Sequence, residues 1–203
     1  PLGGVGTIAF EACAQRRIGI TNDLSPLAYA VATAKICPPS LDEALAELHN
    51  LEQALGKIDL DAADYEASNF GLNEKVANFF QKDTLTEILK ARKYYLGLKD
   101  LSPAQAFVKA SLLHILHGNR PYALSRISHP VTPFNPKGPF RYKSLIDKLQ
   151  QRISLLRKPL PLFFTKGLSF NSDFRQLPNV VSREIDNIVT SPPFVGLRFD
   201  RPN

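Results

Sequence analysis

Methionine is absent from this chain of 203 residues, and cysteine occurs only twice, at Cys13 and Cys37. Two thiols cannot build a disulfide scaffold, and neither has a second cysteine or a histidine at metal-ligand spacing. Both are expected to be small buried apolar residues. No apolar run approaches the roughly 18 residues of a membrane span, and no stretch has the charged, apolar and small-residue succession of a secretory signal. A cytoplasmic protein is the resulting expectation. His114 and His117 stand one helical turn apart, but no acid or thiol sits at supporting spacing, so no metal is expected. The sequence holds neither a Ser-His-Asp arrangement nor a phosphate-binding P-loop.

Acidic residues are also scarce in one stretch. Gly118 to Leu160 holds nine basic residues against a single acid, Asp147, a local charge of +8 in a chain of net +6. The rest of the chain is therefore slightly acidic. A positive field concentrated in this way suits a polyanion such as nucleic acid. Hydrophobic residues at 44% and charged residues at 22% are the proportions of an ordinary globular protein with a sizeable core.

Three regions differ in character. Residues 1–39 begin with a Gly-rich turn. A helix is predicted from Ile8 to Ala14, a strand over Ile18–Thr21, and a second helix from Leu27 to Lys35 after the turn Asn22–Pro26. That alternation is the pattern of a parallel α/β sheet. Residues 40–160 have helical patterning. Ser40 to Glu43 reads as a capping box ahead of a leucine stripe at 41, 45, 48, 51 and 55. Thr84 to Glu87 repeats that spacing, Ser102-Pro103 opens another helix, and prolines between Pro121 and Pro139 predict an irregular loop. A basic amphipathic helix follows, with Leu145, Ile146, Leu149, Ile153 and Leu156 on its inner side. Residues 161–203 resume the α/β pattern, with a strand predicted over Ile185–Val189 running into Thr190-Ser191-Pro192-Pro193-Phe194. The helical middle thus reads as an insertion into one sheet.

Four short segments carry chemistry. Gly4 and Gly6 lie in a turn whose missing side chains let backbone approach a ligand. Asp23 follows the next strand, where nucleotide-binding α/β folds place an acid for ribose hydroxyls; its bland reading is an acid at a helix start. Consecutive prolines at 192 and 193 remove two amide donors and leave carbonyls that only accept. An exocyclic base amine must become more tetrahedral to attack a methyl sulfonium. Acceptors on both of its N–H bonds, the Ser191 side chain and a Pro carbonyl, favour that change. Phe194 would stack on the extruded base, and catalysis would be mostly positioning and polar preorganisation.

Together Pro1-Leu2-Gly3-Gly4-Val5-Gly6-Thr7, Ile18 to Ala28, Ser172-Asp173 and Thr190 to Phe194 resemble, in order, motifs of the DNA amino-methyltransferases. That family methylates cytosine N4 or adenine N6 with S-adenosylmethionine on a Rossmann-like sheet. The resemblance covers about 60 residues at the two ends. It implies that Pro1, Gly4, Gly6 and Thr7 pass under the methionine part, that Asp23 with Leu24 and Ser25 holds the ribose, and that Asp173 and Phe174 flank the adenine. Ser191, Pro192, Pro193 and Phe194 would form the target-amine site. Phe194 replaces the commoner Tyr, and Ser191 in place of Asp leans toward cytosine N4. The family's Asp before the glycines, with its strand, has no counterpart here. Together with the missing methionine, this leads us to expect a chain cut at both ends that binds cofactor weakly by itself.

In the insertion, Arg120, Arg126, Lys137 and Arg141 are expected to contact DNA backbone or flank the extruded base. The expected architecture is α/β, a partial Rossmann-like methyltransferase sheet interrupted by a large helical insertion at residues 40–160. The expected activity is site-specific methylation of a base amine in DNA, as in restriction-modification systems. An RNA base-amine methyltransferase, a non-catalytic nucleic-acid-binding module and one half of a split methyltransferase are the alternatives. In the last, another chain supplies the missing strands.

Overall fold

The computed structural model describes residues 2–69, 76–118, 123–126, 136–155 and 163–190. In chain order, helix α1 spans Thr7–Ala14, strand β1 Ile20–Asn22 and helix α2 Pro26–Ile36. Helices α3 (Leu41–Lys57), α4 (Ala62–Ala67), α5 (Lys82–Leu96), α6 (Pro103–Ile115) and α7 (Leu145–Leu155) follow, with a 3-10 turn at Val76–Asn78. Strand β2 (Leu168–Phe170), a 3-10 turn at Phe174–Gln176 and helix α8 (Leu177–Val180) complete the described elements. The fold is mixed α/β and mostly helical. Of the described residues, those within 1–41, 101–110 and 158–199 form one compact unit, and those within 42–100 and 111–157 form a second.

In the first unit β1 and β2 pair in parallel, with Ile20 opposite Leu168, Thr21 opposite Ser169 and Asn22 opposite Phe170. Parallel strands need a crossover connection, and here it is the whole of residues 23–167. Ser25 caps α2 by accepting the Ala28 amide, and Pro26 occupies the first turn, where its missing amide costs nothing. Ala30 and Ala32 are fully or almost fully buried along α2, and their small side chains let α1 approach closely. A Cβ on Gly6 would stand 2.8 Å from that of Ala32. Cys13, Ala9 and Ile36 form a small core against Phe10, Cys37 and Phe164. Burial raises the pKa of both thiols, and Cys37 Sγ donates to the Gly167 carbonyl at 2.9 Å. Cys13 is buried as expected, whereas Cys37 is only half-buried.

The second unit is helical. Leu48, Leu51 and Leu55 of α3 are buried, as are Leu85, Ile88 and Leu89 of α5 and Leu145, Leu149 and Ile153 of α7. At about 1.5–3 kcal/mol for each fully buried aliphatic side chain, these stripes supply the unit's main driving force. The first two leucines of the predicted α3 stripe, Leu41 and Leu45, are instead exposed.

Two other expectations are corrected. Thr84 and Glu87 do not form a capping box, because α5 begins earlier, at Lys82, and Gln81 caps it by accepting the amides of Asp83 and Thr84. Thr84 and Glu87 instead dock the start of α7. Thr84 Oγ1 accepts the Lys143 amide and donates to its carbonyl, both at 2.9 Å, while Glu87 accepts the Leu145 amide at 2.7 Å and the Tyr142 hydroxyl at 2.6 Å. The predicted strand at Ile185–Val189 carries no strand pairing, and Ile185, Ile188 and Val189 are exposed. A strand requires a hydrogen-bonding neighbour, and among the described residues none pairs with this run. The second strand of the sheet is β2, which the sequence pattern does not announce.

Candidate cofactor site

The C-terminal ends of β1 and β2 are knitted together by side chains. Asn22 is almost fully buried. Its Oδ1 accepts the Ser172 amide at 3.1 Å and the Ser172 hydroxyl at 3.0 Å, and its Nδ2 donates to the Ser172 carbonyl at 2.9 Å. Asn171 Nδ2 donates to the carbonyls of Asp23 at 2.8 Å and Leu24 at 3.0 Å. Segments almost 150 residues apart thus meet at one edge. Neither asparagine stands out in the sequence. The available signal is a polar residue at a strand's end, Asn22 immediately before Asp23.

The glycine turn joins the same edge. The Gly3 amide donates to the Asn22 carbonyl and the Gly4 amide to Asp23 Oδ2, both at 2.8 Å. Gly4 and Gly6 hold φ of 51° and 73°, a left-handed geometry that a side chain would strain. A Cβ on Gly4 would meet nothing within 4 Å, so the space above the turn is open. Gly6 then starts α1 without a side-chain cap, and no acid lies in the first turn. The leading amides of α1, beginning at Thr7, therefore suit an anionic group.

Asp23 Oδ1 accepts the Ser25 amide at 2.9 Å. Each carboxylate oxygen thus takes one backbone donor. A carboxylate offers about four lone-pair sites, which leaves two for a diol. Ser25 itself serves as the cap of α2, whereas Leu24 is 69% exposed.

Asp173 belongs to the same edge through Ser172, but its carboxylate is engaged. It accepts the Arg175 amide at 3.0 Å and pairs with the Arg175 guanidinium through both oxygens, which holds its pKa down to about 2. Arg175 is thus a neighbour of the site that no sequence motif indicates. Phe174, next in the chain, is half exposed. Pro1 and the proposed target-amine residues Ser191, Pro192, Pro193 and Phe194 lie outside the described residues, as does Arg120.

No protein-family profile, curated protein or solved structure matches this chain.

In the second unit the basic residues divide by role. Arg126 is committed internally. Its guanidinium donates to the carbonyls of Gly138 and Asn78 and lies 4.0 Å from the ring centre of Phe140. Lys143 Nζ donates to the carbonyls of Ala123 at 2.7 Å and Ser125 at 2.5 Å, and burial lowers its pKa. Lys137 and Arg141 are exposed. His117 packs edge-on against Phe79 and shares a hydrogen bond with Ser125. Among the described residues no three His, Cys, Asp or Glu side chains gather as metal ligands, and no helix is long and apolar enough to cross a membrane.

Proposed function

We propose that this chain is an S-adenosylmethionine-dependent methyltransferase with a Rossmann-like sheet, acting on an exocyclic amine of a DNA base, cytosine N4 before adenine N6. The observation that carries the reading is the meeting of three of its motifs. The glycine turn, Asp23 and Ser172-Asp173 lie at the C-terminal ends of two parallel strands, joined by the Gly4–Asp23 and Asn22–Ser172 hydrogen bonds. Open α/β sheets bind ligands outside the carboxyl ends of their strands.

The residues present fit the cofactor. The uncapped start of α1 would receive the methionine carboxylate, and the open face of Gly4 would let the backbone approach it. The free lone pairs of Asp23 would accept both ribose hydroxyls. Leu24 and Phe174, apolar and exposed, would cover the adenine. Bound there, the cofactor supplies an electrophilic methyl group on sulfur. By the motif resemblance, Ser191 and a carbonyl of Pro192 or Pro193 would accept the two N–H bonds of the target amine, and Phe194 would hold the base by stacking. The excess proton leaves a strongly acidic methylated amine, so no basic side chain is needed.

Transfer of isotope from methyl-labelled S-adenosylmethionine tests the reading, with DNA and RNA offered in competition. Label in DNA as N4-methylcytosine is the expected result, lost in Ser191→Ala and Asp23→Ala. Label in RNA alone would reassign the substrate, and no transfer to either would end the proposal.

A further inference from the structure

The second unit contains a cavity of about 480 Å³ lined by Tyr65, Phe80, Phe140, Leu85 and Lys82. That volume lies within the range of about 300–1,000 Å³ typical of small-ligand sites. Phe80 and Leu85 are buried, whereas Tyr65 and Phe140 are exposed at 36% and 55%. The cavity therefore has an apolar base and two aromatic rings open to solvent.

Both rings are held in place. The Tyr65 hydroxyl shares a 3.1 Å hydrogen bond with Thr86 Oγ1, and α4, which carries Tyr65, is tied to α5 by the 2.8 Å Lys93–Asp64 ion pair. The Arg126 guanidinium sits against the Phe140 ring while its N–H groups are fixed by the Gly138 and Asn78 carbonyls. Rings fixed in this way lose little rotamer entropy when a ligand stacks on them. Gln81, which also lines the cavity, has its amide engaged in capping α5, so the lining offers stacking surface with little base-reading polarity.

Charge selects the occupant. Phe140 lies between the exposed Lys137 and Arg141, and Lys82 lines the cavity itself. Aromatic rings interleaved with cations are the arrangement that binds single-stranded nucleic acid without sequence preference. We propose that this cavity stacks an unpaired base of single-stranded DNA, Phe140 and Tyr65 taking the base and the flanking cations the phosphates. The inference rests on the nucleic-acid part of the functional reading and not on methyl transfer.

Anisotropy of a fluorescein-labelled oligothymidylate, titrated with the full chain, tests it, alongside quenching of a 2-aminopurine placed in the same strand. Stacking surfaces of this kind change affinity by about 5- to 160-fold per base on truncation. Phe140→Leu and Tyr65→Leu should each weaken binding within that range and relieve the quenching, and Phe140→Trp should restore both. The slope against salt should stay unchanged in these variants, because no charge is removed. Failure of the chain to bind the strand, or equal binding by wild type and Phe140→Leu, overturns the proposal. So does occlusion of the site by self-association, read by sedimentation. Absence of methyl transfer in the isotope assay would instead remove the enzymatic reading and leave this one standing.

Discussion

The backbone amide of Gly4 donates to Asp23 Oδ2 at 2.8 Å, across 19 positions of sequence, so the turn and the acid form one hydrogen-bonded unit. Asp23 is therefore both a candidate ribose acceptor and the acceptor that fixes the turn. Asp23→Ala should speed amide exchange at Gly4 and Ser25, read by NMR, and cost about 1–2 kcal/mol of stability, because two backbone donors forfeit a charged acceptor. Asp23→Asn keeps one acceptor and should lie between. Unchanged exchange at Gly4 in the alanine variant would show that the turn stands without the acid.

A second prediction contrasts two neighbours on β1. Asn22→Ala removes three hydrogen bonds to the half-buried Ser172, so it should destabilise the first unit by about 1–3 kcal/mol. Thr21 Oγ1 is buried and has no hydrogen-bond partner among the described residues. Thr21→Val keeps the shape, removes the orphaned hydroxyl and should stabilise by about 1 kcal/mol. Urea denaturation measures both, and a stabilising Asn22→Ala or a destabilising Thr21→Val would contradict these assignments.

The sequence discloses its local features more readily than its pairings. Ser25-Pro26 announces α2 and Ser102-Pro103 announces α6, because caps act within a few residues. β2 is hard to see because Leu168-Ser169-Phe170 is only three residues long, and its position is set by Gly19 and Gly167. A Cβ on Gly167 would stand 2.3 Å from the Gly19 carbonyl oxygen, a closeness invisible to periodicity. Ile185–Val189 has a strand's composition without a described partner. Thr84 and Glu87 have a cap's spacing but serve α7, about 60 residues on. Within the candidate site the glycines and Asp23 are legible as types. The asparagines that bind the two strand ends are not, since a buried amide network depends on who faces whom.

Glu47 gives the second unit a pH dependence. It is buried on α3, its carboxylate accepts the Tyr94 hydroxyl at 3.2 Å, and desolvation raises its pKa despite that bond and one from Asn50. The neighbouring Tyr95 is also raised, chiefly by burial and then by the Glu47 charge. A carboxyl whose folded pKa lies above its unfolded value binds its proton more tightly when folded. Its contribution is therefore full below the ordinary glutamate value of about 4.3 and lost as pH rises through the folded value. Glu47→Gln should remove that loss, so its Tm should gain on wild type as pH rises above the ordinary glutamate value. A gain in the opposite direction would mean the carboxylate is held as a favourable charge.

The basic stretch separates into residues that bind carbonyls of their own chain and residues that face solvent, and the two should respond differently to neutralisation. Lys137→Gln with Arg141→Gln should lower the slope of log K against log salt for duplex DNA by about 0.9 for each phosphate left without its cation, and keep thermal stability within about 0.5 kcal/mol of wild type. Arg126→Gln breaks the hydrogen bonds to Gly138 and Asn78 and the stacking on Phe140, so it should lower stability by about 1–3 kcal/mol. Its effect on DNA affinity would then follow from the displaced ring, with a salt slope close to that of wild type. If Arg126→Gln instead flattened the slope and left the melting temperature alone, the guanidinium would be a phosphate ligand, and the division drawn between the two sets of cations would be wrong.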